Sequence, residues 1–176
     1  MFTIFSLKNS NPLSAEELNW LHSMLGEYSM TMQGLWLQAL PWTKFAFRWC
    51  PAMTPENGVM GCFSQLYPDT IFLQPYANAE FEIKDTSGRS TWIEHLFPTV
   101  IHELCHARQW QKSKIGYILC ALPFLREFTL EKDASAAGKA AMVFAESWVR
   151  KQDYISAASR GLAEKVFPEE DEHENS

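Results

Sequence analysis

Thr99-Val100-Ile101-His102-Glu103-Leu104-Cys105-His106-Ala107-Arg108-Gln109 is the stretch on which the reading of this chain turns. At its centre stands an H-E-x-x-H pattern. Ile93, Leu96, Phe97, Val100, Ile101, Leu104 and Cys105 recur at helical spacing, and Thr91 with Glu94 forms a capping box, which predicts a helix from Thr91 to about Trp110. On such a helix the His102 and His106 imidazoles stand one turn apart on the same face, and both reach one ion at Zn–N distances near ~2.1 Å. Glu103 projects beside them, placed to accept a proton from a water at the metal, the general-base arrangement of zinc hydrolases. With five histidines in the chain, chance would give this pattern about 0.01 times, so coincidence explains it poorly. Pro98 removes the amide that would bond the Glu94 carbonyl. It predicts either a kink or a short helix followed by a second one.

Upstream of this stretch, Ser14 and Glu17 form another capping box. Leu18, Leu21, Leu25 and Tyr28 continue it as an amphipathic helix from Ala15 to about Met32, ended by Gly34. Three short strands are expected within Lys44–Trp49, Val59–Leu66 and Thr70–Leu73, bounded by prolines and Gly58. Phe81–Lys84 reads either as a fourth or as an extended loop before the turn at Asp85–Gly88. Downstream, helices are expected from Thr129 to Arg150 and from Tyr154 to Val166. The acidic residues 168–176 lack an apolar anchor and read as a disordered tail. The fold class is therefore α+β: one domain over residues 1–167, with an N-terminal helix, a small mixed sheet and a helical C-terminal half.

Composition narrows the function classes. A chain of 176 residues with 47% hydrophobic content supports one core. A net charge of −6, with no basic stripe, argues against nucleic acid as a partner. Ile115–Leu125, the longest apolar stretch, is broken by Gly116 and Pro123 and is about half the ~20 residues a bilayer span needs; it reads as buried core, with no membrane partner. The N-terminus does not read as a signal peptide. Cys50, Cys62, Cys105 and Cys120 lack CxxC spacing and read as free thiols in a reducing cytoplasm.

A catalytic zinc takes a third protein ligand and keeps one open position. The best candidate is Glu131. Its same-face neighbours at helical spacing, Ala134, Ser135, Gly138, Ala141, Met142 and Ala145, are nearly all small, which lets that helix approach the histidine helix closely. Read plainly, the same residues make an Ala-rich packing seam with Glu131 at its rim.

Together, the stretch Thr99–Gln109 and the run Glu131-Lys132-Asp133-Ala134 resemble the gluzincin metallopeptidases. In these, one helix carries H-E-x-x-H and a later helix donates a glutamate, often within E-x-x-A. In size and layout the chain is similar to the compact zinc peptidase domains of phages, mobile elements and their bacterial hosts, including those that cleave immunity repressors. The likeness covers roughly Thr91 to Ala145. It implies a zincin-like fold, a Zn2+ cofactor, His102, His106 and Glu131 as metal ligands, Glu103 as the base, and a protein or peptide substrate. It also implies a sheet edge, Thr70–Leu73 or Val59–Leu66, that pairs with extended substrate.

Other readings stand beside this one. Gly61-Cys62-Phe63-Ser64 ahead of the motif resembles the peptide deformylases, with Cys62 as third ligand, but Met60 stands where that family has glutamate. A non-catalytic binding module stapled by zinc would need a closed shell, for which Cys105 or Cys120 would supply the fourth ligand. His95 shares the face of His102 but lies ~10 Å along the axis, too far for the same ion. Tyr117, Tyr154 and His22 are equal candidates for donating to an oxyanion. Asp133 and Glu127 are candidates for orienting a ligand imidazole. Arg108 and Arg126 read as surface ion-pairing residues.

Overall fold

Ser14 opens the first helix through the capping box. Its hydroxyl accepts the Glu17 amide at 3.2 Å, and Glu17 Oε2 accepts the Ser14 amide at 2.7 Å. In the computed structural model, which describes residues 4–53, 60–75 and 89–166 (side chains at 7–53, 60–75, 96–122, 125–152 and 155), this helix, α1, spans Ala15–Ser29. It stops three residues short of the expected end. The Tyr28 carbonyl is taken by both the amide and the hydroxyl of Thr31, which turns the chain back on itself. Gly34 closes this turn rather than the helix: a Cβ there would lie 1.9 Å from the Tyr28 oxygen.

One short strand precedes α1, β1 (Asn11–Pro12), and three follow it: β2 (Ala46–Trp49), β3 (Gly61–Ser64) and β4 (Tyr67–Leu73). They form one mixed sheet in the order β1-β2-β4-β3, with β2 parallel to β4 and the other pairs antiparallel. The three expected strands are present, and the two-residue β1 is an addition. Alternation sorts the side chains. Phe47, Phe63, Ile71 and Leu73 enter the main core, while Phe72 joins Leu7, Cys50 and Met53 in a second cluster with Cys62 packed against it. Phe81–Lys84 and residues 168–176 lie outside the described residues.

The central helix α2, Arg89–Lys112, lies against β3 and β4. Leu96, Phe97, Val100, Ile101, Leu104 and Ala107 are buried on it. The helix runs through Pro98 without a break, since losing one amide still leaves the neighbouring i→i−4 bonds in place. The side chains of the expected Thr91–Glu94 box lie outside those described. A single helix, α5, spans Leu130–Val166 where two were expected; Lys151-Gln152-Asp153 contains neither Gly nor Pro to interrupt it. It packs along α2 through Ala134, Gly138, Ala141 and Ala145, and ties to α1 where Trp148 Nε1 donates to Glu27 at 3.0 Å.

Ile115–Leu125 is not core. It forms two short helices, α3 (Lys114–Cys120) and α4 (Pro123–Arg126), with Ile115 76% and Leu119 58% exposed. Only one side of α3 turns inward, through Tyr117, which meets Phe63, His106 and Trp110 edge-on. Apolar composition alone does not say which face a short helix presents to the interior. Among the described residues, no helix is long and apolar enough to cross a membrane.

Candidate metal centre

Two successive turns of α2 and the first turn of α5 bring the sequence-predicted donors together, with His106 buried and His102 and Glu131 each about a quarter exposed. His106 Nε2 lies 3.1 Å from His102 Nε2, and Glu131 Oε2 lies 3.2 Å from His102 Nε2 and 3.6 Å from His106 Nε2. Tetrahedral coordination at about 2.1 Å per bond sets ligand atoms about 3.4 Å apart, so these separations are those of one face of such a tetrahedron. The small-residue seam makes the approach possible. A Cβ on Gly138 would stand 3.2 Å from the Pro98 carbonyl and 3.7 Å from His102 Cβ.

Hydrogen bonds set the protons on these rings. Gln109 Nε2 donates to the Leu130 carbonyl at 3.1 Å, leaving Gln109 Oε1 to accept from His106 Nδ1 at 3.0 Å. The His106 proton therefore sits on Nδ1, and the Nε2 lone pair faces the other donors. His102 has the backbone of Ala134 as a partner. Burial pushes both imidazoles below their ordinary value, against the upward pull of Glu131, so both are neutral at pH 7. Burial also acts to raise Glu131, but the Arg126 hydrogen bond and the nearby imidazoles outweigh it and hold the carboxyl below the usual range. The set is two neutral nitrogens and one carboxylate oxygen, a donor chemistry suited to zinc.

Glu103 is buried beside these donors, and its carboxyl is pushed up to about 7, first by burial. Its Oε2 accepts the Phe63 amide of β3 at 2.7 Å, which pulls the other way. Gly61 permits this contact: a Cβ there would lie 2.6 Å from Thr99 Cγ2 and 3.0 Å from Glu103 Cγ. The donors open into a cavity of about 670 Å³ whose walls include β3, Tyr117, Arg126 and Lys139. A second cavity of about 340 Å³ shares Cys62, Phe63, Tyr117 and Arg126 with it and adds Leu7, Leu66 and Leu130.

Among the described residues, β3 is one of the two terminal strands of the sheet, opposite β1. Gln74 N–H donates to the Met60 carbonyl across the β3–β4 ladder, and hydrogen-bonded pairs alternate, so Cys62 pairs with Phe72 while Gly61 and Phe63 turn their backbone groups outward. Of the two stretches expected to offer an edge, Val59–Leu66 contains it and Thr70–Leu73 is interior.

The other candidates fall elsewhere. Among the described residues, Cys62, Cys105 and Cys120 do not join the group of donors, and all four cysteines are free thiols. Tyr117 lines the cavity, and burial first, then Glu103, pushes its phenol up to about 12, which keeps it a proton donor at neutral pH. The side chains of Tyr154 and His95 lie outside those described. His22 sits apart, edge-on to Trp42 and Phe47. Its Nε2 is without a hydrogen-bond partner among the described residues, and burial pushes it below 6.5. The folded chain therefore resists a proton that the unfolded chain takes up, so stability present above pH 6.5 is lost as pH falls below it. Denaturant titrations from pH 7 to pH 5 are expected to show the parent losing stability relative to His22→Phe; parallel profiles would refute this.

Two residues of the site escaped the sequence reading. Gln109 orients His106, where Asp133 or Glu127 was expected, and Arg126, read as a surface residue, pairs with Glu131. Arg108 instead lies over the Trp36 ring. If the group holds zinc, Gln109→Ala is expected to weaken its binding about 10- to 100-fold while leaving the fold intact, measured by competition with a chromophoric chelator. Comparison of the chain with family models, with curated proteins and with solved structures finds no match to any of them.

Proposed function

We propose that the protein is a zinc-dependent metallopeptidase of zincin-like fold, with His102, His106 and Glu131 holding the ion and Glu103 as general base. The observation that carries this reading is the set of donor separations, 3.1, 3.2 and 3.6 Å, beside a buried carboxyl pushed up to about 7. Bound zinc would supply Lewis acidity toward the scissile carbonyl and make water more acidic, toward a pKa of about 7. The residues of the chain do the rest. Glu103, with a proton affinity near neutrality, takes a proton from the attacking water and delivers it to the departing amine nitrogen. Gly61 and the Phe63 carbonyl on β3 offer main-chain hydrogen bonds to an extended peptide. Tyr117, protonated at pH 7 and in the cavity wall, is the donor among the described candidates toward the oxygen that gains charge.

Polypeptide is the proposed substrate, because an open strand edge selects an extended main chain and the neighbouring cavity accepts an apolar side chain. Free thiols favour a cytoplasmic setting. Zinc-loaded protein incubated with a mixture of unstructured peptides tests the reading. One zinc per chain and cleavage abolished by chelation are expected. Stoichiometric zinc without cleavage of any peptide would overturn the enzyme reading in favour of a zinc-stapled binding module.

A further inference from the structure

Glu131 has two carboxylate oxygens, and they have different neighbours. Oε2 faces the imidazoles, whereas Oε1 accepts from Arg126 Nε at 2.7 Å. Arg126 is the last residue of α4, joined to α5 by a tight turn in which the Phe128 amide and the Thr129 hydroxyl both return to the Leu125 carbonyl. The guanidinium is thus delivered by a locally hydrogen-bonded segment rather than by a free loop. It lies at the junction of the two cavities. The Arg126 side chain is 58% exposed, so as a stabilising ion pair this contact contributes little. Its location on the metal-facing carboxylate gives it a different use.

We infer that Arg126 is a positioning residue that limits Glu131 to a single-oxygen ligand, keeping room in the coordination shell for water and substrate. This inference rests on the metal site proposed above. A glutamate whose second oxygen is unrestrained can turn both oxygens to a cation; one whose Oε1 is engaged by a planar, directional donor is held to Oε2. Lysine at the same position would supply the charge without the fixed fork, so it restores the restraint only in part.

Cobalt(II), whose visible absorption is intense in four-coordinate sites and several-fold weaker in five-coordinate ones, serves as the probe. The parent, Arg126→Ala and Arg126→Lys are each titrated with cobalt, with thermal melts as the control for folding. The expected result is an intense band for the parent, a several-fold weaker one for Arg126→Ala at equal cobalt occupancy, and an intermediate value for Arg126→Lys. Cobalt affinity of Arg126→Ala should equal or exceed that of the parent, because a second oxygen joins the shell. Identical spectra, or a loss of affinity with an unchanged spectrum per bound ion, would overturn the inference while leaving the metal site standing. Failure of the parent to bind one cobalt would instead overturn the site itself.

Discussion

Glu103→Gln is expected to retain one zinc per chain and to lose peptide hydrolysis by about 10²- to 10⁴-fold, the contribution usual for a positioned general base. The amide oxygen of glutamine can still accept the Phe63 N–H, so the edge strand stays in place and only the proton carrier is lost. The substitution carries a second signature in metal-free protein. A carboxyl pushed up from 4.5 to about 7 holds its proton more tightly when folded than when unfolded. Stability therefore falls as pH rises from 4.5 to 7, and above that the ionised, buried group costs up to about 3 kcal/mol. Glutamine carries no such cost, so the metal-free variant should become more stable than the parent as pH passes through this window. Denaturant titrations at pH 5 and pH 8 check the sign; a variant that gains nothing at pH 8 would refute the assignment.

On the proposed metal site, His106→Ala and Glu131→Ala are expected to abolish the thermal stabilisation that zinc would give the parent. Binding to the folded state alone stabilises by about 4 kcal/mol at a thousand times Kd, which for a chain of this size raises Tm by roughly 8–16 °C. The two donors come from different helices, so each substitution tests a separate arm of the proposed ligand set. His106 is buried and neutral, so its loss also leaves a cavity next to Tyr117 and frees Gln109. Glu131 is a quarter exposed, so its loss removes little besides the ligand. Scanning calorimetry with and without zinc separates the two effects: a shift of parental size in Glu131→Ala would exclude the carboxylate from the shell.

Much of the site could be read from the sequence because its elements carry local signals. H-E-x-x-H fixes its own geometry once the segment is helical, and the small residues after Glu131 mark a face that must approach another helix. Ser14 with Glu17 marked a helix start in the same way. Other features depended on tertiary packing. Gln109 has no pattern that marks it as an imidazole partner; its role comes from the Leu130 carbonyl arriving beside it. Arg126 resembles any surface arginine until α4 turns it toward Glu131. The apolar run Ile115–Leu125 named no inward face, and so was expected in the interior although most of its large side chains meet solvent. Sheet order, which makes β3 rather than β4 the edge, is decided by long-range pairing that no short window contains.

The amide that grips Glu103 belongs to the very ribbon that would receive a guest chain. On the proposed function, reception and chemistry would share a common ruler: a displacement of that ribbon by a fraction of an ångström would move the carboxylate with it. A guest seated out of step would drag the proton acceptor away from the reacting bond, so fidelity here would come from alignment as much as from fit.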